Sequence, residues 1–163
     1  MRRWIGLIMM AGAGHALPAL AGPTPLAQIA ASAQQAQTRC QEFMHDNADE
    51  YVSCLNALGA AVKGKTVAAQ AEKLGIAYFG WLGATHAARV SLPGSDDAAL
   101  HFYLRFTPLQ QQLKISDLDL CGTFAGDCKV RLAQLDEIRK VVAVQKARAS
   151  AQAKASASAK AAK

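Results

Sequence analysis

The sequence has few aromatic residues, and this scarcity limits the folds that it can adopt. Phenylalanine, tryptophan and tyrosine make up 6% of the 163 residues, whereas alanine alone accounts for 35 of them. β-Branched residues are sparse, and no segment alternates apolar and polar residues over the length of a strand. This composition argues against a sheet-rich fold and favours packed helices, because alanine has the highest helix propensity. The 18% of charged residues are too few for a wholly disordered chain.

The motifs of common enzyme classes are missing as well. The sequence contains no G-x-S-x-G, no H-E-x-x-H and no glycine-rich phosphate loop. It also lacks the C-x2-C spacing typical of zinc sites and the C-x-x-C-H of haem attachment. We therefore expect a non-catalytic protein with no metal and no other cofactor.

The first 21 residues resemble an export signal. Arg2 and Arg3 precede an apolar run over residues 4–11, and residues 19–21 supply the small side chains that a signal peptidase reads. The apolar run is shorter than the roughly 20 residues of a membrane span. We expect cleavage after Ala21, which would leave a protein without a membrane anchor in the periplasm or outside the cell.

The net charge of +6 is unevenly distributed along the chain. Residues 22–145, the expected helical domain, contain 11 basic and 12 acidic residues, so this domain is near neutral. Residues 146–163 form a low-complexity tail of alanine with basic and small polar residues. The basic residues of the tail are Lys146, Arg148, Lys154, Lys160 and Lys163. An isolated helix of this composition is marginal in water, so we expect the tail to be disordered or a frayed helix.

Four cysteines follow the expected cleavage site, and an even number in an exported chain favours disulfides. Cys121 and Cys128 flank a short segment with two glycines, which allows a tight turn. If residues 40–54 formed one straight helix, the Cα atoms of Cys40 and Cys54 would lie about 21 Å apart, whereas a disulfide needs about 5.5 Å. A helix break at residues 45–47 would bring them together. We expect Cys40–Cys54 and Cys121–Cys128, and the two other pairings stay open.

Helical signals recur along the expected domain. The expected helices span about 25–44, 48–62 and 66–90, then one from residue 95 after a Pro-Gly break, and a last one that begins near residue 127. The centre of the third helix, residues 74–82, is apolar on all sides, which indicates a helix surrounded by others. The sequence thus predicts an all-α protein: a small disulfide-stabilised bundle of about five helices with a low-complexity C-terminal tail.

Two details concern the segment between residues 95 and 121. Thr107 and Pro108 predict a restart of the helix, because threonine caps helices and proline is favoured in the first turn. Ser116 is expected to cap a short turn over residues 117–121. The residues of this segment expected to face the core are Leu100, Tyr103, Leu104 and Phe106.

One segment carries a family pattern. Residues 74–78 read L-G-I-A-Y, which matches the L-G-x-x-Y of a repeat helix, and Ala87 stands at the position of that repeat's alanine. About 35 residues therefore resemble a tetratricopeptide-type helical hairpin, although the break at Pro93 comes late and no second copy follows at a 34-residue period. The resemblance implies a helical hairpin with a concave face that accepts peptides.

The same hairpin carries the candidate binding residues, which are Trp81, His86, Arg89, His101 and Tyr103. His86 lies eight residues before Gly94 and His101 seven after it, so antiparallel packing would set the two histidines at a similar height. A metal site would need a third ligand, and ordinary polar positions at a helix interface are the competing explanation. Arg89 either binds a carboxylate or phosphate, or pairs with Asp96 or Asp97, or lies at the surface.

These features favour an exported accessory or scaffold protein of the cell envelope that acts through contact with an unidentified protein partner. Two alternatives stay open. One is a binder of polyanions or of an anionic envelope surface through the basic tail, with salt-sensitive affinity. The other is a binder of a small ligand or metal at the His86/His101 hairpin. Export argues against genomic DNA as a target.

Overall fold

The computed structural model describes residues 23–124 and 128–161, and within them it contains six α-helices, one 3-10 helix and no strand. The helices are α1 (Pro25–Cys40), α2 (Asp49–Ala61), α3 (Val67–Arg89), α4 (Ser95–Leu113), α5 (Asp117–Thr123) and α6 (Cys128–Ala161), and the 3-10 helix spans Gln41–Phe43. The predicted all-α bundle is confirmed. The predicted export signal, residues 1–21, lies outside the described residues.

Side-chain caps fix several helix starts. The Thr24 hydroxyl accepts a hydrogen bond from the Ala27 amide, and the Thr66 hydroxyl accepts one from the Ala69 amide. Ser116 begins α5 with a capping box, in which its hydroxyl and the Asp119 carboxylate each accept from the other residue's backbone amide. The cap predicted at Ser116 is therefore confirmed.

The helix restart predicted at Thr107 is wrong, because α4 runs unbroken through Pro108 to Leu113. Proline removes the hydrogen bond to the carbonyl group four residues earlier, here that of Leu104. Leu104 and Pro108 are both exposed, so water can reach this carbonyl group. The Thr107 hydroxyl donates to the Tyr103 carbonyl oxygen at 2.8 Å instead of capping a new helix. The same exposure corrects the prediction that Leu104 faces the core.

The core is built around α3, which is buried along its middle by α1, α2 and α4. Leu74, Tyr78 and Trp81 are completely buried there. Gly75 lets α1 approach closely, because a methyl group at this position would collide with the carbonyl oxygen of Ile29. An alanine-rich chain with few large side chains thus obtains its core by close helix approach around a few aromatic anchors.

Both predicted disulfides are confirmed. Cys40–Cys54 joins the end of α1 to α2 with a Cα–Cα distance of 5.7 Å. Cys121–Cys128 joins α5 to the first residue of α6 with a Cα–Cα distance of 5.3 Å. The chain reversal that the first bridge requires follows the 3-10 helix, where the Asn47 side chain accepts from the Asp49 amide at 2.9 Å.

α6 packs on the rest of the domain through its first half only. Leu135 and Val142 are buried, whereas every residue from 143 to 160 is exposed. At 1.5 Å per residue, a helix of 34 residues is about 51 Å long. The basic tail therefore continues α6 as an exposed helix, as far as the structure describes it. No helix in the described ranges is long and apolar enough to cross a membrane.

Candidate protein-binding groove

A groove of about 600 Å³ lies between the end of α3, the start of α4 and the first half of α6. Most of its wall surface is apolar, and exposed polar and charged side chains lie at its edges. The apolar lining is Ala88, Ala99, Leu100, Val130, Ala133, Ile138 and Val141, the partly buried Thr85 and Gln134 also line the wall, and the polar edge is Arg89, Asp96, Asp97, Glu137 and Gln145. We call this feature the α3–α4–α6 groove.

The groove exists because small residues face it from three helices. Ala88 on α3, Ala99 on α4 and Ala133 on α6 each contribute only a methyl group to its walls. Leu135 is completely buried and packs the first half of α6 on the core. The short side chains then leave between the helices a space that no residue of the chain fills in the described structure.

Exposed valines continue the groove onto the free face of α6. Val130 is 39% exposed, and Val141 and Val144 are each 50% exposed. Val130 and Val141 line the groove, and Val144 lies one turn further along the helix. A contiguous apolar surface rimmed by polar residues is typical of an interaction site in a folded protein.

Arg89 lies exposed at the edge of the groove, in line with the alternative that placed it at the surface. None of the ion pairs in the described ranges joins Arg89 to Asp96 or Asp97. The Arg89 guanidinium instead lies against the Gln134 side-chain amide, whose oxygen accepts from Arg89 Nε at 3.0 Å when the amide is turned to satisfy both side chains. Arg89 thus connects the end of α3 to α6. Asp96 and Asp97 form no ion pair with any described residue, which leaves negative charge at the groove edge.

The structure does not bring His86 and His101 into one site. The Nε2 atom of His101 lies 3.1 Å from the Asn56 side-chain oxygen on α2. Burial and the nearby Arg105 lower the pKa of His101. His86 is exposed and lines a different cavity, with Gln134 on α6. The described residues contain no group of three or more His, Cys, Asp or Glu side chains placed to share a metal ion.

The aromatic candidates belong to the core. Trp81 is completely buried, with ring centroids 5.3 Å from Tyr78 and 5.8 Å from Phe106. Tyr103 is 6% exposed and packs edge-on against Phe106 at 5.4 Å. The ring surfaces that the sequence offered as binding elements are therefore used in packing.

The basic tail residues lie on the exposed half of α6. Lys146, Arg148, Lys154 and Lys160 are all exposed, and Lys163 lies outside the described residues. No acidic residue occurs after Glu137. The tail is thus a solvent-exposed cationic helix that leaves the domain beside the groove, where Gln145 is the last residue of α6 to line it.

Sequence reasoning missed the groove because its residues come from three helices that are distant along the chain. Glu137 and Val141 belong to no sequence motif that would mark them as binding residues. The signal that could have found them is the set of valines at 130, 141 and 144, which do not share the helical face of Leu135 and Val142.

Comparison with known proteins gives no matching family model, no matching curated protein and no matching solved structure. The tetratricopeptide-type resemblance of the α3–α4 hairpin therefore stays a prediction. What can be inferred about function rests on the groove and on α6.

Proposed function

We propose that this protein is an exported, non-catalytic accessory or scaffold protein that binds a helical segment of a partner protein in the α3–α4–α6 groove. The groove is the observation that carries the proposal. Its apolar lining, polar edge and neighbouring exposed valines match the features by which amphipathic helices are accepted in grooves. Burial of apolar surface would supply most of the binding free energy.

The charges at the groove edge favour a partner segment with basic side chains beside its apolar face. Asp96 and Asp97 form no ion pair with the described residues. Within the part of the chain that the structure describes, Glu137 pairs only with Lys140 of its own helix, at 2.7 Å, and both side chains are 71% exposed. Such surface pairs contribute little and can exchange for a partner's cation. Complementary charge of this kind mainly increases association rate and specificity.

Export to the periplasm or the exterior is part of the proposal. The signal-like pattern at residues 1–21 supports it, and so do the two disulfides, since such bridges persist in oxidising compartments.

Photo-crosslinking in the native cell envelope tests the proposed function. A photoreactive amino acid is placed at Val141 in the groove and, as a matched control, at Val67, which is 58% exposed at the start of α3. We expect a reproducible adduct with one envelope protein from position 141 and none from position 67. The adduct should be lost in an Asp96→Lys/Asp97→Lys variant. No adduct at position 141, or the same adducts at both positions, would contradict the proposal.

A second function is favoured by the exposed cationic helix over residues 146–160. Its four basic residues and lack of acids suit a polyanion or an anionic envelope surface. Binding to heparin and to anionic lipid vesicles should decrease with added salt and disappear when residues 146–163 are deleted. Unchanged binding after this deletion would refute the second function.

A further inference from the structure

We infer that α6 pairs with α6 of a second copy of this chain, in antiparallel orientation, and so forms a two-fold symmetric dimer over the α3–α4–α6 groove. The inference goes beyond the proposed function, because it places a second copy of this chain, and not another envelope protein, in the same groove. Eight residues of α6, which we call the α6 stripe, carry it. They are Val130, Gln134, Glu137, Val141, Val144, Arg148, Ala151 and Ala155.

The spacing of the α6 stripe is that of a coiled-coil seam. Successive members are separated alternately by four and three residues from 130 to 155. This is a heptad repeat, which keeps one face of a helix directed at a partner helix. The first four members line the groove, and the last four lie on the exposed second half of α6. Leu135 and Val142, which face the protein's own core, are not members.

The α6 stripe is self-complementary. With a two-fold axis between residues 142 and 143, Val141 faces Val144 of the second copy and Glu137 faces Arg148 of the second copy. Gln134 and Val130 then face the small side chains of Ala151 and Ala155. Because the axis repeats each contact, the dimer contains two valine pairs and two ion pairs.

Registers shifted by one heptad lose these valine pairs and ion pairs. A shift by one heptad in one direction places Val144 opposite Arg148, and a shift in the other direction places Glu137 opposite Val141. Either shift would put a charged side chain against a valine and leave it unpaired at the interface, which is costly. The spacing of two valines and two opposite charges therefore favours this antiparallel register over its two neighbours.

The monomer leaves the two charged members of the α6 stripe without a buried partner among the described residues. Arg148 forms no ion pair in the described ranges, and Glu137 has only its exposed pair with Lys140. Every residue of α6 from 143 to 160 is exposed, and isolated helices of this kind are marginal in water. Because α6 is one continuous helix, its second half cannot fold back into its own groove. A second copy can cover it.

A charge-swap experiment on the exported, oxidised full chain tests the dimer by sedimentation equilibrium over a series of concentrations. Glu137→Arg or Arg148→Glu alone places like charges opposite each other twice, and we expect the dimer dissociation constant to rise at least about tenfold. The double variant Glu137→Arg/Arg148→Glu restores the opposite charges and should dimerise like the wild type. Asp136→Arg is the matched control, because Asp136 is adjacent and exposed but lies off the α6 stripe.

A wild-type chain that stays monomeric over the whole series would overturn the dimer, and so would single variants that behave like Asp136→Arg. Circular dichroism and melting temperature, measured on every variant, separate loss of pairing from loss of fold. The photo-crosslinker at Val141 distinguishes this inference from the proposed function. Capture of another envelope protein by a monomeric chain would support the function and overturn the dimer. Capture of nothing except a second copy would support the dimer and overturn the accessory function.

Discussion

The guanidinium group of Arg139 on α6 lies 2.7 Å from the carboxylate of Asp117 on α5. The same carboxylate accepts a hydrogen bond from the Gln110 side chain on α4 at 2.6 Å. Asp117 therefore connects three helices, and the hydrogen bond to Asp117 is the main reason that the pKa of Arg139 is raised. This contact anchors the long helix at one end of its packed half, so the geometry of the groove depends on it.

Removing this anchor should loosen α6 without unfolding the domain. We expect Asp117→Ala to lower the free energy of unfolding by about 1 kcal/mol, because the pair is partly exposed and its hydrogen bonds to charged groups are lost. Amide exchange over residues 132–142 should increase. Asp136→Ala removes only an exposed 3.3 Å pair with the same arginine and should change stability by less than about 0.5 kcal/mol. Equal effects of the two substitutions on urea unfolding would contradict the anchoring role.

Two glycines in helices should respond in opposite ways to a methyl group. Gly75→Ala forces the new methyl group against the Ile29 carbonyl oxygen, so α1 and α3 must separate and stability should fall by about 2 kcal/mol. Gly59→Ala meets no atom within 4 Å and should raise stability by about 0.5 kcal/mol, because alanine favours the helix. Urea denaturation measures both. A harmless Gly75→Ala would show that the close approach of α1 is not required.

Capping and spacing made much of the fold predictable. The cap at Ser116, the break before Ser95 and the return between Cys40 and Cys54 are local properties, and the structure has all three. The continuation of α4 through Pro108 was not predictable in this way. A helix tolerates proline when the carbonyl group that loses its hydrogen bond, here that of Leu104, can reach water. Whether Leu104 is exposed depends on the tertiary structure.

The candidate site was predicted less well for a related reason. Trp81 and Tyr103 looked like ligand contacts, yet burial decides between packing and binding, and their burial depends on helices distant in sequence. Alanines form part of the groove wall, and the sequence does not distinguish an alanine in the core from an alanine in a groove wall. The α6 stripe, in contrast, is a 3.5-residue pattern that is present in the sequence itself.

Removal of the Tyr78 hydroxyl group should not cost stability. The Tyr78 hydroxyl is buried and has no hydrogen-bond partner within residues 23–124 and 128–161. Tyr78→Phe should therefore leave stability at neutral pH unchanged or slightly higher. Tyr51→Phe, the matched control, loses the hydrogen bond from its hydroxyl to the Phe79 carbonyl oxygen at 3.3 Å and should cost about 1 kcal/mol.

Ionisation of Tyr78 should make the free energy of unfolding depend on pH. Burial raises the pKa of Tyr78 to about 12 in the folded protein, against about 10 in the unfolded chain. Above pH 10 the unfolded state releases the proton and the folded state keeps it, so stability is fully present below pH 10 and falls as the pH rises towards 12. Tyr78→Phe should make this decrease shallower in urea denaturation at pH 9 to 12. An unchanged slope would show that Tyr78 ionises alike in both states.

The Cys40–Cys54 bridge should stabilise the fold by restricting the unfolded chain. It closes a loop of about 15 residues, which corresponds to about 3 kcal/mol in the chain-entropy account. We expect Cys40→Ala/Cys54→Ala to lower the free energy of unfolding by this amount. Cys121→Ala/Cys128→Ala, with its shorter loop, should cost slightly less. Unfolding in urea gives both values. Four free thiols detected by alkylation and mass measurement of the unreduced protein would contradict both bridges.

The central claim is that α6 pairs with α6 of a second copy of this chain over the groove. Amide hydrogen exchange over residues 143–155 tests it most directly, measured at low and high concentration in the wild type and in Arg148→Glu. The account predicts that protection of this segment rises with concentration in the wild type and stays low in the variant, because an unpaired alanine-rich helix is marginal in water. Fast exchange in both proteins at every concentration would contradict it.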